Sequence, residues 1–155
     1  MDQTTDQGIR QLRVVHVSVC AGILVFLGVA TVLKGTLVQA ELSERISVLL
    51  GGLALVAAAC AAAYLAVDRV AVARVARACQ ESPKASDGVA IAAYRQLAIV
   101  SAALIEGPCF LACMVYLLTG SGMAVGAVAL GLALLLSRMP SQEGLQRFVE
   151  RARES

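Results

Sequence analysis

The chain has 155 residues, of which 59% are hydrophobic and 15% charged, too little charge for a water-soluble domain, where about a quarter of residues carry one. Its mean hydropathy is +0.78. The formal net charge is only +2, and no basic face interleaved with aromatics marks a nucleic-acid binder.

The chain opens on a polar tail, "MDQTTDQG", and its first apolar run covers residues 14–33. A first helix is expected from about Leu12 to about Lys34. The run could mimic a secretory signal cut after Ala40, but signal cores are about 7–15 residues long, so the helix is read as retained. A second run, 46–67, contains no charge, and its helix is expected to continue into a basic segment over 68–96. Pro83 breaks that segment because the residue before a proline disfavours helix, and Ser86 or Asp87 caps the next helix.

The third run, 97–118, holds one charge, Glu106, and the fourth, 121–137, holds none. A crossing of about 30 Å of hydrocarbon needs roughly 17–25 such residues, and none of the runs alternates as barrel strands do. The expectation is one integral membrane domain over 1–155: an all-α, four-helix transmembrane bundle. Of the thirteen Lys and Arg residues, eleven fall in the two tails and the 68–96 segment. The positive-inside rule therefore predicts both termini in the cytoplasm, with the chain multi-pass in the inner membrane.

In the tail, 138–155, Pro140 closes the fourth helix. Leu145, Phe148, Val149 and Ala152 then fall at i, i+3, i+4 and i+7, the spacing of a short amphipathic helix. Two placements remain open for it: flat on the anionic inner leaflet, or packed on the end of the bundle.

Helices in lipid associate through small residues that let backbones approach. The fourth helix offers Gly122, Gly126, Ala129 and Ala133 on one stripe, and the second offers Gly51, Ala54, Ala58, Ala61 and Ala62. On the third, Ala98, Ala102, Glu106, Cys109 and Cys113 share a face. These stripes are the expected packing surfaces. The five cysteines include no CxxC pair, and there is one histidine, so neither a metal site nor a cofactor is expected. With no HExxH, no GxSxG and no cluster of acids, the sequence is not read as an enzyme.

Glu106 is the residue that composition does not explain. It lies about 13–14 Å beyond Leu97 at the helical rise, near the bilayer centre, where an acid costs about 3 kcal/mol and faces a partner or cavity. Two residues on, Pro108 deprives the Leu104 carbonyl of its hydrogen bond and is expected to kink the helix, with Gly107 adding local freedom. A carboxylate beside a freed carbonyl is a candidate proton or cation site, with His16 and Ser101 as accessory polar groups. His16 is expected about 9 Å shallower than Glu106, too far for direct pairing, as an interfacial side chain. Structurally, Glu106 could instead be glue, bonding a polar group on a neighbouring helix. Lipid is then the first partner, and self-association or another membrane subunit the second.

The stretch "YRQLAIVSAALIEGPCFLACMVYLLTG" over 94–120 resembles a segment of small four-span bacterial membrane proteins without an assigned activity, with their Tyr-Arg, buried Leu/Ile-Glu-Gly and Tyr-Leu-Leu end. That resemblance implies the architecture alone. The segment is also similar, more faintly, to the carboxylate helix of rotary ATPase proteolipids, the ring-forming c subunits. This second likeness implies that Glu106 is the ion-carrying acid, although the first span has only Gly22 and Gly28 where a proteolipid partner helix has a glycine repeat.

Overall fold

A computed structural model describes residues 3–37, 45–81 and 86–154. The expected loop around Ala40 and the break at Pro83 lie outside the described residues. Five helices account for nearly all of what is described: α1 (Gln3–Leu37), α2 (Ile46–Glu81), α3 (Ser86–Thr119), α4 (Gly122–Ser137) and α5 (Gln142–Glu154). The helical class is as expected. Three helices are long and apolar enough to cross a membrane, over Gln7–Lys34, Ile46–Gln80 and Gly88–Thr119.

The expected fourth span falls short. With 16 residues, α4 is about 24 Å long at the helical rise, against a hydrocarbon core of about 30 Å. It counts as a crossing only when joined to α5, from which it is bent by 79°. The elbow has a local cause. Arg138 gives its backbone N–H to the last carbonyls of α4, Pro140 cannot continue the ladder, and Ser141 starts α5 by accepting the Gly144 N–H on its hydroxyl at 3.0 Å.

At the other end of α4 the chain reverses in two residues. Gly120 has φ 69°, a left-handed conformation that glycine adopts without steric cost. Its N–H closes α3 on the Tyr116 carbonyl at 2.8 Å, and the Ser121 N–H is taken by the Thr119 hydroxyl at 3.2 Å. α3 and α4 are therefore antiparallel neighbours. α1 runs parallel to α3: Phe26 meets Phe110 edge-on, ring centres 5.2 Å apart, and further along Lys34 lies 5.0 Å from the Tyr116 ring.

α3 is the common partner of the bundle. Ala102, Cys109, Ala112 and Cys113 are buried on it, together with Ile23 of α1, Leu53 of α2, and Val128 and Leu135 of α4. The face that α4 presents is the reverse of the expected one. Ala124, Val128, Gly131 and Leu135 are buried, while Gly122, Gly126, Ala129 and Ala133 point outward, about half a turn away at 100° per residue. The stripe on α2 also points outward, with Gly51, Ala54, Ala58, Ala61 and Ala62 all exposed. Gly131 explains the choice on α4: a β-carbon there would run into Cys109 Sγ, whereas one at Gly126 would meet nothing within 4 Å. The helices approach where only a hydrogen fits.

α1 begins well before Leu12, at Gln3, because its first turns are themselves packed: Ile9 and Leu12 are buried. α2 and α3, at 36 and 34 residues, are about 54 and 51 Å long, some 20 Å more than the hydrocarbon core requires. Their surplus carries Arg69, Arg74, Arg77 and Arg95 and holds α5. Leu145, Phe148 and Ala152 are buried on it, and Phe148 and Ala152 share a cluster with Val75, Ala90, Ala93 and Leu97. Of the two placements left open for the tail helix, the structure has the one on this basic end of the bundle, with Arg151 paired to Asp68 of α2 at 3.6 Å.

Large apolar side chains cover the outside of the rods: Val25 and Val32 on α1, Val48 and Leu55 on α2, Leu130 on α4 are each more than half exposed. A surface so extensively apolar fits lipid and not water.

Gly131→Ala should cost about 1–3 kcal/mol by overpacking while Gly126→Ala stays near neutral, read as thermal unfolding in detergent. Phe148→Ala should cost about 3–5 kcal/mol, and limited proteolysis should then release the tail beyond the elbow.

Candidate functional site

Glu106 lies on α3 in the middle of the apolar stretch, half-buried. The residues a helical turn away on its face, Ala102, Cys109 and Cys113, are buried at 3%, 2% and 0% exposure, and Ala98 is half-buried. Glu106 therefore lies on the buried side of α3. Among the described residues it makes no hydrogen bond and no ion pair. Nor, among those residues, does any group of three or more His, Cys, Asp or Glu side chains have the arrangement to hold a metal ion.

α3 passes through Pro108 as one helix. The proline and Leu104 line a different surface from Glu106. With Leu53, Ala57 and Ala61 of α2 and Leu130 and Leu134 of α4, they border a groove of about 400 Å³ between the three helices. Gly107, on the far side of the turn, is exposed. The carboxyl and the turn freed by Pro108 thus share a depth but do not open into one cavity.

His16 is turned into the bundle. It is 1% exposed, and its Nδ1 lies 3.1 Å from the Leu12 carbonyl. A carbonyl only accepts, so Nδ1 is the donor there. The other ring nitrogen, Nε2, is buried and has no partner among the described residues. Counting along the parallel α1 and α3 from the Phe26–Phe110 contact, His16 sits about 9 Å nearer the basic end than Glu106, too far for a direct bond. Ser101, 6% exposed, donates to the Ala98 carbonyl at 2.9 Å and borders the groove.

The groove's mouth is not evident from the sequence. At the basic end it is closed by Tyr64, Ser101 and Arg138, the guanidinium 4.4 Å from the Tyr64 ring centre, within range of a cation–π contact. In the sequence Arg138 reads as a topology determinant. The signal that could single it out is its position, directly after the last apolar residues of α4 and two before Pro140.

Compared with known proteins, the chain matches no family model, no curated protein and no solved structure. An unpaired buried polar group costs about 1–3 kcal/mol. His16→Leu, which removes one, should therefore hold or raise the unfolding temperature in detergent; a fall of several degrees would mean that the imidazole has a partner in the membrane.

Proposed function

We propose that this is a multi-pass inner-membrane protein in which Glu106 takes up and releases a proton within the bilayer, for transport or coupling. The observation that carries the reading is a half-buried carboxyl in mid-span with no hydrogen bond or ion pair among the described residues. An ionised acid at that depth is costly, so a mid-span carboxyl calls for a task that repays it. A proton needs only that one group, whereas a bare cation needs a shell of oxygens. The role as glue within the chain is the weaker reading, since glue needs a bonded neighbour. Both termini and the basic end with α5 are assigned to the cytoplasm, in line with the distribution of Lys and Arg.

A second reading, a non-catalytic membrane subunit, draws support from the outward stripes Gly122, Gly126, Ala129 and Ala133 on α4 and Gly51, Ala54 and Ala58 on α2. Such surfaces suit the close approach of another helix, from a second copy or from a different chain.

The test is Glu106→Gln in proteoliposomes loaded with a pH-sensitive dye. Wild type should pass protons under an imposed gradient, Glu106→Asp less, and Glu106→Gln should fall to the level of empty liposomes. Removing an unpartnered acid should also leave unfolding in detergent unchanged or raised. Equal proton flux in wild type and Glu106→Gln would overturn the proposal, and a marked loss of stability in Glu106→Gln would return the residue to the role of glue.

A further inference from the structure

The groove between α2, α3 and α4 does not end at Arg138. Tyr64, Ser101 and Arg138 border it on one side and on the other border a second cavity of about 650 Å³ under the elbow, of mixed polar and apolar lining, reaching Tyr94, Ser141 and Glu143. The two compartments differ in chemistry and meet at one guanidinium. The groove is walled by Ala57, Ala61, Leu104, Pro108, Leu130 and Leu134, all without a polar side chain. The cavity adds hydroxyls and charged side chains to apolar walls from Leu97, Met139 and Phe148.

Dimensions narrow the occupant. Along α2 the groove runs from Leu53 to Leu65, about 18 Å at the helical rise, roughly the depth of one leaflet of a bilayer whose core is about 30 Å thick. It is open sideways, with Leu130 and Leu134 at 64% and 44% exposure, so a lipid chain enters from the membrane without threading. The cavity is lined by three arginines, Arg138, Arg147 and Arg151, and three glutamates, Glu143, Glu150 and Glu154, and Arg138 is the arginine at the junction with the groove. Glu143 is paired with Arg147 at 3.5 Å and Asp68 with Arg151 at 3.6 Å, while the Arg138 guanidinium lies against the face of Tyr64. A ring holds a cation in place and leaves its N–H fork able to donate to a phosphate.

We propose that this pair of compartments binds one anionic glycerophospholipid, with an acyl chain in the groove, the phosphate on Arg138 and the remainder of the headgroup beneath the elbow. The site does not include Glu106 and stands independently of the proton chemistry assigned to it. Ser101, facing both compartments, is placed near the ester region of such a lipid.

The full-length protein in a mild detergent, titrated with phosphatidylglycerol or phosphatidylcholine and read by native mass spectrometry, tests this. One phosphatidylglycerol per chain should be retained in preference to phosphatidylcholine. Losing one charge-assisted contact should weaken phosphatidylglycerol binding about tenfold in Arg138→Gln, with Arg138→Lys intermediate. Ala61→Trp fills the groove from an exposed position on α2 and should abolish the specific adduct with the helix content unchanged by circular dichroism. Equal retention of the two lipids, or of phosphatidylglycerol by wild type and Arg138→Gln, would overturn the proposal. So would undiminished binding in Ala61→Trp, which would mean that the headgroup alone is held at the surface.

Discussion

The bundle depends on one constraint, the close approach of α4 to α3 at Gly131 and Cys109. In lipid, apolar side chains gain little by leaving one apolar medium for another, so helices hold together where their backbones come near enough for dense packing. Gly131 supplies the missing β-carbon and Cys109 the atom that takes its place. The two-residue turn at Gly120 and the elbow at Pro140, each with its own local cause, bound α4 on either side of this contact. α3 is left with its other faces for α1 and α2.

That arrangement leaves α2 in an unusual position. Its start is tied in by Leu53, with Leu49 and Leu50 beside it, and its far half by Val75 and the docked α5. Between them most of its residues are exposed. The groove is the space left where a long straight rod passes two helices that are themselves joined closely. Its mouth coincides with the elbow because α4 stops there, too short to reach the basic end.

Much of this is legible in the sequence. Unbroken apolar runs without alternation specify helices, since only a helix satisfies its backbone internally in lipid. The spacing of Leu145, Phe148 and Ala152 marks the buried face of α5, although the choice between a lipid surface and the bundle's end depends on how far α2 and α3 extend. The α4 stripe misleads for a definite reason. In "GMAVGAVALGLALLLS" small residues recur on two opposite faces, and periodicity cannot choose between them; the choice is made by Cys109 on another helix. The early start of α1 is hidden because a polar tail carries no stop signal. The burial of His16 depends on neighbours distant in sequence. Glu106 is conspicuous from composition alone, but its absence from the groove that Leu104 and Pro108 border depends on how α2 and α4 pack on α3.

A beam resting on two piers has a clearance set by the piers and not by whatever lies beneath its middle. For α2 the piers are Leu53 at one end and the Val75 and Phe148 cluster at the other. Side chains along the unsupported stretch, Ala57 and Ala61 among them, are therefore free to change in bulk without disturbing how the rods are joined. Related chains with this architecture could retune what the gap admits, one methyl group at a time, while keeping the same scaffold.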